Sequence, residues 1–306
     1  MTSRTIQIAA AASALNPDPR QAPRVARAMG FAGIEFDAHS PSFDIPALSG
    51  SGRREFLRMI SSQDLKLAGL RADLGPKGFG IGADIDRLLS RFDEVLESAA
   101  SLACPLVYVD LGPLPAPGRQ ERPRPAVTQT QAGLILLPNV PSVPRAAPID
   151  SPPPDPAFVA QVDCAMAELG HRADRYSVIV AFSSDLASLA ALDRAVVAAS
   201  CPWFGIDLDP SSILRDEWSV DEVFSRLGQL VRHVRGRDAV AGGDRRARPA
   251  VIGAGSTDWP VLLACLDSIG NQGWLTVDPS ELADRSAAAE AGLKWLGKCL
   301  GSSFER

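Results

Sequence analysis

Two segments near the end of the sequence, Trp203-Phe-Gly-Ile-Asp-Leu-Asp-Pro210 and Gly273-Trp-Leu-Thr-Val-Asp-Pro279, decide the fold. Each is apolar enough for a buried strand, and each carries a carboxylate where that strand would end. A third strand-like run between them, Val231-Arg-His-Val-Arg-Gly-Arg-Asp238, is rich in polar groups. In a parallel β/α barrel the C-terminal ends of successive strands converge and build the active site. The three segments therefore predict a barrel with a polar mouth.

Strand-like and helix-like segments alternate along the rest of the chain. Strands are predicted at residues 5–12, 33–37, 66–72, 106–110, 177–182, 204–208, 231–235 and 274–277. Because a helical segment follows each of them, we expect an α/β protein, a (β/α)8 TIM barrel in which residues 1–306 form a single domain. An open doubly wound sheet is the alternative, but no GxGxxG turn follows the first strand.

The alternation breaks at residues 112–156, which hold 13 of the 25 prolines. Proline lacks an N–H and fixes φ, so this density excludes helices and central strands. In a barrel this Pro-rich insertion emerges after strand 4, on the catalytic face. A lid or rim, a partner-binding arm and a passive loop all remain open for it.

Composition narrows the class of partner. The net charge of −5 argues against nucleic acid, because phosphate binding needs a basic face. No apolar run is long enough to span a bilayer, so we expect no membrane partner. The five cysteines show no CxxC spacing, as is typical of reduced thiols in a cytoplasmic protein.

Four motifs carry a resemblance to a known family. They are Gly30-Phe-Ala-Gly-Ile-Glu35, Gly205-Ile-Asp-Leu-Asp209-Pro-Ser-Ser212, His233-Val-Arg-Gly-Arg-Asp238, and Gly253-Ala-Gly-Ser-Thr-Asp258-Trp259 with Gly270-Asn-Gln-Gly-Trp-Leu-Thr-Val-Asp278. In this order and spacing they resemble the sugar phosphate isomerase/epimerase family of xylose-isomerase-like TIM barrels. The resemblance covers nearly the whole chain outside the insertion. It implies one divalent metal, held by a Glu, an Asp, a His and a second Glu from strands 5 to 8, and proton transfer by the two glutamates.

This sequence departs from that metal pattern. The position of the first Glu falls near Ser183, and the metal-binding His of strand 7 falls on Arg235, whose fixed positive charge repels a cation. The Asp of strand 6 is present as Asp209, and the final Glu is shortened to Asp278. We therefore expect no cofactor and a degenerate metal site. If Mn²⁺ or Mg²⁺ binds, Asp209 and Asp278 are the expected ligands, and Asp185 joins them only in a shifted register.

The same positions supply the candidate site residues. Asp209 and Asp278 are the candidate catalytic acid/base pair; alternatively, Asp209 caps the following helix and Asp278 pairs with an arginine. Predicted substrate-binding residues are Glu35, Arg71, Ser183, Ser212, His233, Arg235 and Arg237, and His39 is a further candidate for the mouth. Arg235 and Arg237 either clamp a carboxylate or phosphate or form salt bridges with Asp209, Asp278 or Asp238.

The sequence favours two functions, and a third, metal-dependent isomerisation, requires a different register of strands 5 and 7. In the first, the chain is a non-catalytic, binding member of the family, as a homo-oligomer or beside a catalytic partner subunit. In the second, it is a metal-independent isomerase, epimerase or dehydratase that uses Asp209, Asp278 and Arg235 on a small polyhydroxylated or carboxylated substrate. Both functions imply a sugar or sugar-acid-like ligand.

Overall fold

The computed structural model describes residues 6–115, 154–184, 189–216, 218–242 and 246–301. Eight parallel strands form a closed barrel, in which each strand pairs with the next along the chain and the last pairs with the first. The barrel strands are β1 (Gln7–Ala11), β2 (Gly33–Asp37), β3 (Lys66–Ala72), β4 (Leu106–Asp110), β5 (Ile179–Ser183), β6 (Phe204–Leu208), β7 (Val231–Gly236) and β8 (Trp274–Val277). This architecture confirms the predicted (β/α)8 TIM barrel.

Helices surround the barrel. In the described ranges they are α1 (Ala12–Leu15), α2 (Ala22–Met29), α3 (Gly50–Ser61), α4 (Ile85–Ser101), α5 (Pro156–Tyr176), α6 (Leu189–Ala199), α7 (Pro210–Arg215), α8 (Val220–Leu227), α9 (Trp259–Ser268) and α10 (Arg285–Cys299), with a 3₁₀ turn at Gly228–Leu230. None of these helices has both the length and the apolarity needed to cross a bilayer.

Local capping sets the element boundaries that the sequence pattern misplaced. Helix α5 continues to Tyr176 and stops where Ser177 adopts a left-handed conformation with φ 53°. That residue bonds back to the last turn, so β5 begins at Ile179 and not at the predicted residue 177. Helix α10 begins after Asp284, which caps it by accepting the N–H of Ala287 at 3.1 Å.

Residues 116–153 of the Pro-rich insertion lie outside the described ranges. The insertion leaves the barrel beyond the end of β4 at Asp110, and α5 begins at Pro156. Its role as lid, arm or loop stays a prediction.

Side chains that alternate along each barrel strand form two separate cores, one between the strands and the helices and one inside the barrel. Successive side chains of a strand face opposite sides, so Val107 and Val109 of β4 pack against the surrounding helices. Tyr108, between them, belongs instead to a small cluster inside the barrel. The ring of Trp274 fills the N-terminal end of the barrel, where a Cβ on Gly33 would lie only 2.7 Å from it.

Two hairpins extend from the mouth of the barrel. The first pairs His39–Ser40 with Phe43–Asp44 after β2, and the second pairs Asp238–Gly242 with Arg246–Ala250 after β7. The second, called here the β7 hairpin, packs against α7. The β7 hairpin therefore borders the mouth of the barrel on one side.

Candidate functional site

The predicted residues of strands 5 to 8 meet at one place. Ser183, Asp209, Arg235 and Asp278 all line a pocket of about 120 Å³ at the C-terminal mouth of the barrel. Ser212, from the first turn of α7, and Arg237, just beyond β7, also line it. The structure therefore brings these residues together, and their roles stay predictions.

A chain of buried polar groups lies beneath this pocket. His233 is within hydrogen-bond distance of Asp207 through Nδ1, at 2.8 Å, and of Thr276 Oγ1 through Nε2, at 2.9 Å. The hydroxyl of Thr276 donates to Glu35 Oε2 at 2.7 Å. His233 Nε2 is also 3.3 Å from Glu35 Oε2. The imidazole thus lies between two carboxylates inside the barrel.

These carboxylates fix the charge of His233. Burial alone would lower its pKa, but Glu35 and Asp207 outweigh burial and raise the pKa to about 9. An imidazolium donates from both nitrogens, which matches acceptors at Asp207 and Thr276. Burial would likewise raise the pKa of Asp207, yet Arg235 and His233 hold it below its usual range.

Arg235 joins this chain to the pocket. Its Nη2 donates to Asp207 Oδ2 and, at 3.3 Å, to Ser183 Oγ. The guanidinium carbon lies 5.1 Å from the ring centre of Tyr108, which also stacks on His233 at 4.9 Å. Arg235 Nε is buried without a hydrogen-bond acceptor in the described part of the chain. The salt bridge of Arg235 is therefore with Asp207, and not with Asp209, Asp278 or Asp238.

Arg237 contacts both candidate catalytic carboxylates. It donates to Asp278 Oδ2 from Nε at 3.0 Å and from Nη2 at 2.6 Å. Its Nη1 lies 3.7 Å from Asp209 Oδ2 and 3.3 Å from Glu281 Oε1. Burial would raise the pKa of Asp278, but Arg237 and Arg235 hold it well below its usual range. Asp278 is thus a fixed anion at neutral pH.

Asp209 also caps helix α7, as one alternative from the sequence foresaw. Its Oδ1 accepts from the Ser211 N–H at 2.9 Å and from the Ser211 hydroxyl at 2.6 Å. Ser212 accepts from Arg215 Nη2 at 3.2 Å. The oxygens of both residues therefore already hold protein partners at the pocket rim.

The opposite side of the mouth is built by β2 and β3. Arg71 Nη1 lies 3.6 Å from Asp37 Oδ1, and burial raises the pKa of Asp37 although Arg71 opposes the shift. Glu35 does not pair with Arg71, because it lies deeper and bonds Thr276. His39 bonds Asp44 within the first hairpin, at 2.8 Å.

Three residues of the buried chain, Asp207, Tyr108 and Thr276, were not among the predicted site residues. The signal that could have found them is the two-residue period of a strand. Asp207 precedes Asp209 by two positions, and Thr276 precedes Asp278 by two. Asp207 and Thr276 therefore face the barrel interior, one layer below Asp209 and Asp278, which the motifs did identify.

The donor set does not fit the divalent metal that the resemblance implies. At its four positions stand Ser183, Asp209, Arg235 and Asp278, and the Arg237 guanidinium contacts both carboxylates. Two arginines beside these oxygens supply the positive charge that a cation would bring. Within the described ranges no group of three or more His, Cys, Asp or Glu side chains is arranged for a metal ion. Asp185 lies outside the described residues.

The buried histidine makes stability depend on pH. The folded pKa of about 9 exceeds the ordinary 6.5, so this stabilisation is fully present below pH 6.5 and is lost as pH rises through 9. A shift of this size corresponds to about 3 kcal/mol. We expect urea unfolding to give a lower free energy of unfolding at pH 8.5 than at pH 6.5. His233→Gln should remove most of that difference; an unchanged difference in this variant would assign the pH effect to other groups.

The chain is similar in sequence pattern and fold to known proteins. A family model described as a xylose isomerase-like TIM barrel matches residues 23–299. A xylose isomerase domain protein from Planctomyces limnophilus is 16% identical, with a TM-score of 0.67 over 97% of this chain and 98% of that chain. The 3-keto-D-glucoside 4-epimerase from E. coli is 18% identical, with a TM-score of 0.66 over 96% and 100%. An L-ribulose 3-epimerase is 14% identical, with a TM-score of 0.64 over 97% and 95%. No curated protein sequence matches this chain significantly.

Proposed function

This chain belongs to the xylose isomerase-like TIM barrel family, and on that premise we propose that it binds a small sugar or sugar-acid-like molecule at the barrel mouth, without a divalent metal and without turnover. The single observation that carries the proposal is the pairing of two arginines with carboxylates at the mouth and directly beneath it. Arg235 bonds Asp207, and Arg237 bonds Asp278 and approaches Asp209.

Paired carboxylates are poor proton shuttles. A general base works best when its pKa lies near the operating pH, whereas Arg237 and Arg235 hold the pKa of Asp278 well below that range despite its burial. Asp209 is engaged in capping α7. Neither group is therefore suited to removing a proton from carbon, which supports a binding role over the alternative, metal-independent isomerase, epimerase or dehydratase.

The nature of the ligand follows from the mouth and from the neighbours. Serine hydroxyls and charged groups line the pocket, and such groups bind the hydroxyls of polyols. Solved structures with the same fold include a 3-keto-D-glucoside 4-epimerase and an L-ribulose 3-epimerase. Those names support a sugar-like ligand for this chain.

The metal content of the purified protein tests the proposal first. We expect protein prepared without chelator, and dialysed against Mn²⁺ and Mg²⁺, to retain far less than one metal ion per chain, because Arg235 and Arg237 repel cations. Elemental analysis measures this number of metal ions per chain. A near-stoichiometric metal would contradict the proposal and restore an ordinary metal-dependent site.

Ligand titrations form the second half of this test. A panel of monosaccharides and sugar acids should give the same calorimetric affinities in Mn²⁺ and in EDTA, with no product detected by NMR. If a member of the panel is instead converted, Asp209→Asn and Asp278→Asn should be compared with Asp258→Asn, a capping aspartate on α9 outside the pocket. Loss of turnover in the first two alone would establish the enzyme alternative.

A further inference from the structure

Two kinds of residue line the pocket. The charged residues Asp209, Arg235, Arg237 and Asp278 are called here the charged floor. Apolar residues from the β7 hairpin and its neighbours are called here the apolar wall: Ala239, Pro249, Val251, Ile252, Val277 and Leu282. A ligand made only of hydroxyl groups would leave this wall without a matching partner, since apolar surface gains nothing from contact with hydroxyls.

The apolar wall is held rigidly in place. Five residue pairs join the two strands of the β7 hairpin, from Asp238↔Ala250 to Gly242↔Arg246. Asp238, at its base, accepts N–H groups from the loop that carries Gly253, Gly255 and Thr257. Ile252 packs on α10, where a Cβ on Gly292 would lie 3.1 Å from Ile252 Cδ1. A wall fixed at this many points is a preformed surface, not a loop that folds away from its ligand.

The charged floor favours a neutral polar group over an acid. Five carboxylates and three guanidinium groups line the pocket: Asp110, Asp209, Asp238, Asp278 and Glu281, with Arg215, Arg235 and Arg237. A carboxylate on the ligand would add a further negative charge to this already anionic lining. A hydroxyl, by contrast, both donates to a carboxylate and accepts from a guanidinium.

We propose that the preferred ligand is a neutral polyol that carries an apolar substituent, with its hydroxyls on the charged floor and the substituent against the apolar wall. This inference rests on the proposed binding function and narrows its ligand class. The pocket volume of about 120 Å³ is no larger than the cavity of about 150 Å³ that holds one benzene, so the pocket encloses only part of such a ligand and the substituent is at most one small ring.

Three small probes separate the contributions of floor and wall. Propane-1,2-diol carries the vicinal hydroxyls alone, 1-phenylethane-1,2-diol adds a ring, and mandelate replaces the terminal CH₂OH of the latter with a carboxylate. By ligand-observed NMR titration we expect the phenyl diol to bind at least tenfold more tightly than either of the other two, because burial of the ring removes apolar surface from water.

Variants of the wall provide the control. Val251→Asp, or Leu282→Asp if the first is poorly folded, places a charge on the apolar wall and should abolish the advantage of the phenyl diol. Val240→Asp adds the same charge to the β7 hairpin at a partly exposed position that does not line the pocket, and it should keep the advantage. Retention of the advantage in the wall variants would overturn the inference.

The remaining outcomes are also decisive. Equal affinities of the two diols for the wild-type protein would overturn the apolar-substituent inference and leave the proposed binding function standing. Tighter binding of mandelate would overturn the neutral-ligand part and favour a sugar acid. No binding of any probe would overturn the inference as a whole, while the metal analysis and the sugar titrations would still judge the proposed function independently.

Discussion

Asp207→Ala is expected to lower the free energy of unfolding by about 3–5 kcal/mol, the range typical of removing one partner from a buried ion pair. Asp207 lies between two cations. Its Oδ2 bonds Arg235, and its Oδ1 bonds His233 Nδ1. Its loss leaves the Arg235 guanidinium buried without a carboxylate. His233 is affected as well, because one of the two carboxylates that raise its pKa is gone.

Asp209→Ala is the matched control for this prediction, since it removes a carboxylate two residues further along the same strand direction. Asp209 caps α7, and loss of a cap costs about 1 kcal/mol. Urea unfolding at pH 7 compares the two variants. Equal losses for Asp207→Ala and Asp209→Ala would show that the buried pair contributes no more than a helix cap.

A double variant tests the electrostatic cause of the loss. Asp207→Leu combined with Arg235→Met replaces both charges with apolar groups of similar size, which in buried ion pairs restores much of the lost stability. We expect this double variant to be more stable than Asp207→Ala. If it is equally unstable, the loss comes from packing and not from an unpaired charge.

The strands could be predicted from sequence because each one is a short apolar run between helical segments. Leu106–Asp110 and Lys66–Ala72 were predicted with the bounds that the structure has. The convergence of Ser183, Asp209, Arg235 and Asp278 also followed, because parallel strands place their C-terminal ends on one face. Both predictions use local patterns and one rule of topology.

The partners of the polar residues could not be predicted in the same way. Pairing between β6 and β7 places Ile206 opposite Val231, yet it places Asp207 opposite His233, because the register shifts between Ile206 and Asp207. In a uniform register Asp207 would lie opposite Arg232. This irregularity brings the carboxylate to the histidine, and nothing in a single sequence marks it.

Asp238 is the second buried carboxylate with a large expected effect, and it acts through hydrogen bonds. It accepts the N–H groups of Ala239 at 2.8 Å, Gly253 at 2.9 Å, Gly255 at 3.3 Å and Thr257 at 3.2 Å, and Trp259 Nε1–H at 3.0 Å. Four backbone donors and an indole therefore depend on one side chain. The Gly-x-Gly-x-x-Asp-Trp motif of the sequence is the loop that wraps around it.

We expect Asp238→Ala to lower the free energy of unfolding by about 3–5 kcal/mol, because the two buried donors, the Ala239 N–H and the Trp259 indole N–H, and three partly buried N–H groups lose their acceptor, and each buried donor left without an acceptor costs about 1–3 kcal/mol. Such a loss is a large share of the stability of a typical domain. Trp259→Phe removes one donor and replaces the buried indole with a smaller aromatic ring, so a small cavity adds to the loss of the hydrogen bond. It should cost far less and remain folded, which keeps the prediction measurable if Asp238→Ala is insoluble.

Asp258→Ala is the control, because Asp258 belongs to the same motif yet caps α9 through a single bond to the Val261 N–H at 3.2 Å. Urea unfolding should rank the loss of stability as Asp238→Ala, then Trp259→Phe, then Asp258→Ala. An Asp238→Ala loss within about 1 kcal/mol of the Asp258→Ala loss, the usual cost of a cap, would contradict the role given to the carboxylate. Trp259→Phe should likewise weaken binding of 1-phenylethane-1,2-diol more than Asp258→Ala does, since Trp259 bonds the carboxylate that anchors the hairpin of the apolar wall.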